Sequence, residues 1–244
     1  MKFRNIINQF GHQIARAVGI DYLRYSACNF SCLRRAQFMD DLKIEKVYDV
    51  GAHDGGYGRQ LRMHGYRGAI VSFEPLATAF EKLRKCANLD GNWEIKRTAL
   101  GRESGEAAIN VSEHLTSSSF LGMSEVHKRA SPGSSYQGVE IVSVARLDSL
   151  ATPSEIIDSP SWFKVDVQGF EKQVLDGSGL LLREFAAIEL ELSMVEVYED
   201  GPLIEDVIAY LRSFGFSPCS FENVLVESTT ARVLQVDCIF LRNR

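Results

Sequence analysis

The pattern of apolar and polar residues changes near residue 45. Before it, apolar side chains spaced by three and four predict a helical stretch over 1–40, with a second helix over 26–38. After it, short runs rich in β-branched and aromatic residues alternate with amphipathic helical runs. The predicted strands are 46–50, 68–73, 93–97, 162–166, 186–192, 216–221 and 233–241, and the predicted helices are 59–63, 77–87, 170–175 and 203–214.

Repeated strand–helix units predict an α/β fold, with a mostly parallel seven-stranded sheet and helices on both faces. The last two strands have no helix between them, which predicts a closing antiparallel hairpin. We place an N-terminal helical extension at 1–44 and one domain at 45–244.

A β-rich and loop-rich insertion at about 104–145 interrupts this rhythm. Its strand-like runs, 107–111 and 139–144, flank a polar stretch, 112–138. Loops of this length in compact domains are usually functional or disordered. We interpret the stretch as a substrate-side lid, and its histidines, His114 and His127, as solvated loop residues.

Composition excludes several classes of protein. The 244 residues include 27 Lys and Arg against 32 Asp and Glu, a net charge of −5 that disfavours a nucleic-acid binder. Neither a membrane span nor a secretory signal is predicted. Five scattered cysteines suit a reducing compartment, so a cytoplasmic location is expected. Cys28 and Cys32 form the one close pair, without partners at zinc-site spacing, and no metal is predicted.

A Gly-rich turn follows the first predicted strand, within the segment 47–58. Glycines allow a close backbone approach and positive φ angles. The spacing matches neither the dinucleotide fingerprint nor a P-loop. The carboxylate of Asp49, at the strand end, suits a cationic group such as an amino-acid ammonium.

Glu74 follows the second predicted strand, 25 residues after Asp49. A carboxylate there can accept hydrogen bonds from both hydroxyls of a ribose. Either segment alone could simply shape a loop. Together they predict a ligand with an amino acid at one end and a ribose at the other, which is S-adenosylmethionine.

The sequence resembles the FkbM-type methyltransferase family from about residue 45 to 241. The matching segments are Asp49-Val50-Gly51-Ala52-His53-Asp54-Gly55, Phe73-Glu74-Pro75, Ser117-Ser118-Ser119, Arg146-Leu147-Asp148-Ser149-Leu150, Lys164-Val165-Asp166-Val167-Gln168-Gly169-Phe170-Glu171 and Glu191. Two positions depart from the family pattern: His53 replaces the usual Asn, and Gln168 stands where Glu is commoner.

The resemblance implies a Rossmann-like class I methyltransferase fold with S-adenosylmethionine as cofactor. Residues carried over by motif would line the methionine moiety, contact the ribose and lie near the adenine. They are Asp49, Gly51 and Ala52 for methionine, Glu74 for ribose, and Thr98 and Ala99 for adenine.

Asp166, at the end of the fourth predicted strand, is the first candidate to orient or deprotonate an acceptor hydroxyl. Glu191 and His53 are the next candidates, and Asp166 could instead cap the following helix. Glu189 and Glu191 share one face of an apolar strand. Burying such a pair is costly without hydrogen bonds or cations.

The predicted activity is S-adenosylmethionine-dependent O-methylation of a small molecule, sugar or glycan. The alternative is a non-catalytic module that keeps the fold for binding or interaction. An N-methyltransferase is disfavoured because no Asn/Asp-Pro-Pro-Tyr/Phe motif follows the fourth strand. A dehydrogenase would need a second glycine in the turn after Gly51.

Overall fold

The computed structural model describes residues 15–17, 19–21 and 23–243, and among residues 23–243 it has two sheets, seven α-helices and three 3₁₀ helices. The apolar pattern predicted over 1–14 lies outside the described residues. In chain order the elements are α1 Ser31–Asp41, β1 Lys46–Val50, α2 Gly56–Met63, β2 Ala69–Phe73, α3 Ala77–Ala87, β3 Trp93–Lys96, β4 Ala99–Leu100, β5 Gly105–Ser112, α4 Glu125–Ala130, β6 Tyr136–Ala145, α5 Pro153–Ile157, β7 Ser161–Val165, α6 Glu171–Ser178, β8 Ala187–Ser193, α7 Ile204–Ser213, β9 Phe216–Glu227 and β10 Arg232–Arg242.

The larger sheet has the strand order β3-β2-β1-β7-β8-β10-β9. Its first five strands are parallel, and β10 runs antiparallel to both β8 and β9. The predicted α/β fold with a closing hairpin is therefore confirmed. Strand order reverses between β1 and β7, and ligands of open α/β sheets bind outside the carboxyl ends of the strands at such a point.

Alternating side chains of the larger sheet contribute to the two largest apolar clusters, one on each face of that sheet. In β1, Val47 belongs to one cluster, whereas Tyr48 and Val50 belong to the other. The first cluster includes residues of α1, α2 and α3, and the second includes residues of α5, α6 and α7. These helix residues are Met39, Leu61 and Leu83 on the first face and Ile156, Val174 and Leu211 on the second.

A second sheet has the order β4-β6-β5; β5 and β6 belong to the predicted insertion, and β4 lies just before it. The polar stretch between β5 and β6 contains a 3₁₀ helix and α4, so it has helical structure of its own. Ser119 pairs with Asn110 of β5, and Met123 pairs with Tyr198 after β8. The first pairing ties the stretch to the second sheet, and the second ties it to the segment that follows β8 of the larger sheet.

The domain boundary at residue 44 and the bounds of the insertion stay predictions. Within the described ranges, no helix combines the length and apolar character that crossing a bilayer requires.

Candidate active site

A cavity of about 290 Å³ lies at the carboxyl ends of β1, β2 and β7, with the insertion forming part of its wall. Six of the nine predicted site residues line this cavity, and three do not. The lining ones are Gly51, His53, Glu74, Ala99, Asp166 and Glu191, whereas Asp49, Ala52 and Thr98 lie outside it.

Only glycine fits at position 51, because the ends of β1 and β7 lie very close to each other there. Its φ is +78°, and a Cβ atom there would lie 1.8 Å from the carbonyl oxygen of Asp166. The Asp166 N–H donates to the carbonyl of Val50 at 3.1 Å, which fixes this approach. Any side chain at position 51 would therefore push β1 and β7 apart.

Glu74 presents a nearly buried carboxylate to the cavity. Its Oε2 accepts from the main-chain N–H of His53 at 2.8 Å, and its Oε1 accepts from that of Leu76 at 2.8 Å. Burial outweighs these bonds and raises the pKa of Glu74 to about 7. A carboxylate has about four acceptor positions, so two remain for a pair of ribose hydroxyls.

The Glu74→Ala variant is expected to bind S-adenosylhomocysteine about 5- to 150-fold more weakly, because it leaves hydrogen-bonding groups unpaired at about 1–3 kcal/mol. Wild-type affinity should also fall as the pH drops below about 7, since a protonated Glu74 accepts fewer hydrogen bonds. Calorimetry at several pH values measures both effects. Glu81→Gln, at an exposed ion pair of α3, is the control. Equal affinities for wild type and Glu74→Ala would contradict the ribose assignment.

Asp49 is fully buried beneath the cavity instead of lining it. Its Oδ2 accepts from Ser72 Oγ at 3.0 Å, and its Oδ1 lies 3.5 Å from Lys164 Nζ. Lys164 Nζ also lies 3.4 Å from Asp166 Oδ2. Burial opposes the charge of Lys164, but Asp166 and Asp49 together raise its pKa. The cation facing Asp49 is therefore Lys164, a residue that sequence reasoning missed although it interrupts an apolar strand.

Thr98 and Ala99 diverge at the end of β3. Thr98 Oγ1 donates to the carbonyl of Ser143 at 3.1 Å, so this side chain binds β6 and lies outside the cavity. Ala99 lines the cavity. Ala52 is buried in the apolar cluster that contains Leu61.

Gln168 links two cavity carboxylates. Its Nε2 donates to Asp166 Oδ1 at 2.7 Å and to Glu191 Oε2 at 2.8 Å, and its Oε1 accepts from the Tyr198 hydroxyl at 2.6 Å. Gln235 Nε2 also donates to Glu191 Oε2 at 3.0 Å. Burial, followed by the negative charge of Asp166, raises the pKa of Glu191. Gln168, which stands where Glu is commoner in the family, thus donates hydrogen bonds to two carboxylates, which a Glu carboxylate could not do.

Asp166 does not cap the helix that follows it. The N–H groups of Val167 and Gly169, in the turn before α6, donate to Glu171 Oε1 at 3.1 and 3.2 Å. Asp166 instead binds Lys164 and Gln168. The capping interpretation of Asp166 is therefore wrong, and Glu171 shapes this turn.

The two histidines of the insertion have different surroundings. His114 is exposed, as expected. His127 is 3% exposed and lines the cavity, so its interpretation as a solvated residue is wrong. Its ring centroid lies 5.1 Å from that of Tyr198. Because α4 packs its first turn inward, His127 is buried between the insertion and the main sheet.

The two glutamates of β8 have separate partners. Glu189 accepts from Arg35 Nε at 2.9 Å, from the Tyr57 hydroxyl at 2.6 Å and from Trp162 Nε1 at 3.0 Å. Glu189 is thus neutralised by a cation of α1, while Glu191 lines the cavity. Each of the two buried carboxylates is therefore stabilised by its own set of hydrogen bonds.

The family model of the FkbM methyltransferase domain matches residues 49–218. The chain belongs to the FkbM methyltransferase family. It is therefore a methyltransferase by family, and its cofactor is S-adenosylmethionine. Gly51 and the buried Glu74 carboxylate fit such a ligand. Gly51 has no side chain, so the ligand can approach its backbone closely, and Glu74 keeps free acceptor positions for ribose hydroxyls.

Solved structures similar to this FkbM-family chain include three methyltransferases. FkbM from Methylobacillus flagellatus KT is 14% identical with a TM-score of 0.49, covering 80% of this chain and 43% of that one. An rRNA methylase from Streptococcus thermophilus is 12% identical with a TM-score of 0.46, covering 87% and 96%. The 1,6-didemethyltoxoflavin-N1-methyltransferase of Burkholderia thailandensis, with bound S-adenosylhomocysteine, is 10% identical with a TM-score of 0.45, covering 100% and 90%.

The chain thus spans less than half the length of the Methylobacillus protein. A search of curated proteins finds no match.

Proposed function

We propose that this methyltransferase transfers the methyl group to a hydroxyl of an uncharged small molecule or sugar. The observation that carries the proposal is the chemistry of the cavity wall. Among the described residues that form this wall there is no Lys or Arg, whereas neutral polar side chains are numerous. They are Thr116, Ser117, Ser118 and Ser131 of the insertion, with Gln168 and Gln235 from the main domain.

The carboxylates of the wall support an uncharged acceptor. Glu74, Asp166 and Glu191 all line the cavity. A phosphate or carboxylate on the acceptor would be desolvated there without a cation to pair with, at a cost of several kcal/mol. Phosphorylated sugars and nucleic acids are therefore disfavoured, in agreement with the net charge of −5.

The residues predicted from the motifs divide between the two ligands. Glu74 binds the ribose, with Gly51 and Ala99 beside the cofactor, and S-adenosylmethionine supplies an electrophilic methyl group. Asp166, held by Lys164 and Gln168, orients the acceptor hydroxyl, with Glu191 beside it. Asp49 acts indirectly by fixing Lys164. Holding the reacting atoms in line can contribute several kcal/mol to such a displacement.

The five cysteines are all free, which supports the predicted cytoplasmic location.

Methyl-labelled S-adenosylmethionine, offered with a panel of methyl glycosides and the matching sugar phosphates, tests this proposal. Label is expected in an ether on a methyl glycoside, and the sugar phosphates should be poorer acceptors. Transfer to the phosphates alone would contradict the uncharged-acceptor assignment. Binding of S-adenosylhomocysteine without transfer to any acceptor would favour the alternative, a non-catalytic module.

A further inference from the structure

Buried polar atoms without a hydrogen-bond partner cluster at this one site. In the described part of the chain they are Asp49 Oδ1, His53 Nε2 and both ring nitrogens of His127. Asp49 Oδ1 still has Lys164 at 3.5 Å. An unpaired buried group costs about 1–3 kcal/mol, so its presence in a native fold calls for a functional explanation. His127 carries this cost at both nitrogens.

Contacts lead from the end of β7 to His127. Gln168 binds Asp166 through its Nε2 and the Tyr198 hydroxyl through its Oε1. The Tyr198 ring packs against the His127 ring, with centroids 5.1 Å apart. Ser119 Oγ donates to the carbonyl of Gln168 at 2.6 Å, which fastens the insertion to the same turn. His127 is thus held beside Tyr198, which binds Gln168, the residue that links Asp166 to Glu191.

The other candidate bases are occupied or unsuitable. Asp166 binds Lys164 and Gln168, and Glu191 Oε2 already accepts hydrogen bonds from both Gln168 and Gln235. The ring of His53 has an acidic partner, since its Nδ1 lies 3.7 Å from Asp54 Oδ1, and its main-chain N–H donates to Glu74 on the side assigned to the ribose. The pKa of His127 is lowered by burial, which keeps the imidazole neutral with one nitrogen able to accept a proton.

We propose that His127 is the catalytic base that takes the proton of the acceptor hydroxyl, an assignment that rests on the proposed O-methyltransferase function. The acceptor oxygen bonds to the methyl carbon while the carbon–sulfur bond breaks, leaving its electron pair on sulfur. The O–H bond breaks in the same displacement, and its proton passes to the unprotonated ring nitrogen. The imidazolium then releases this proton to solvent, which regenerates the neutral base.

Three variants of the whole chain test this role, with methyl glycosides as acceptor probes. His127→Gln keeps hydrogen-bonding capacity but has no basic nitrogen, and its turnover should fall about 10²- to 10⁴-fold with unchanged affinity for S-adenosylhomocysteine. In His127→Ala, added imidazoles should restore turnover in the order of their basicity. His114→Gln, an exposed histidine of the same insertion, should match wild type in turnover.

A binding measurement separates this assignment from the proposed function. In the NMR spectrum of the protein with S-adenosylhomocysteine, the histidine signal lost in His127→Gln identifies His127, and methyl glycosides should shift it. Transfer by wild type with equal turnover in His127→Gln would overturn the assignment and leave the proposed function standing. A shifted signal without transfer would support the acceptor contact and overturn the proposed function. Absence of both shift and transfer would overturn both.

Discussion

Asp166→Asn is expected to lower kcat about 10²-fold while leaving the affinity for S-adenosylhomocysteine close to that of wild type. The amide preserves the size of the side chain and can still accept from Gln168 Nε2. It cannot carry the negative charge that we assign to orienting the acceptor hydroxyl. Lys164 keeps Asp49 as an ionic partner, so the fold should survive. Turnover with a methyl glycoside and calorimetric binding measure the two effects separately.

Asp158→Asn provides the matched control, because this aspartate is exposed at the end of α5. Its turnover should equal that of wild type. Normal turnover in a folded Asp166→Asn would contradict the orienting role. Unfolding of the variant would instead show that Asp166 serves mainly to neutralise Lys164.

The position of the site could be predicted because parallel strands end at a common edge. In the observed register, Val50 lies opposite both Phe73 and Val165. The residues that directly follow these three, including Glu74 and Asp166, therefore meet in one crevice. This argument needs only the order of the strands and where each one ends, and both are encoded in local patterns.

Long-range contacts explain what sequence reasoning missed. Gln168 accepts a hydrogen bond from Tyr198, which lies 30 residues away, and no local sequence pattern predicts that bond. His127 lies in a polar stretch whose composition resembles a solvated loop, yet α4 packs it against Tyr198. Thr98 and Ala99 are adjacent in sequence, but the pairing of β4 with β6 separates their environments. Burial of polar residues depended here on tertiary packing.

The position of Glu189 in an apolar strand indicates that it has a buried partner. A carboxylate in an apolar strand demands a partner, but its cation comes from α1, 154 residues earlier. Helix α1 also lies outside the matched family range of 49–218. Arg35 is 6% exposed and donates to both carboxylate oxygens of Glu189. Helix α1, which lies outside the family match, therefore neutralises the buried charge of Glu189 in β8, the strand that also carries Glu191.

Arg35→Leu should consequently lower the free energy of unfolding by about 3–5 kcal/mol, because it leaves Glu189 buried without its cation. Tyr57 and Trp162 still donate to that carboxylate, but neither brings a positive charge. Urea unfolding followed by fluorescence or circular dichroism measures the loss. Arg84→Leu, which breaks the exposed pair with Glu81, should cost only about 0–1 kcal/mol. Equal losses in the two variants would show that the Arg35–Glu189 pair contributes no more to stability than an exposed ion pair.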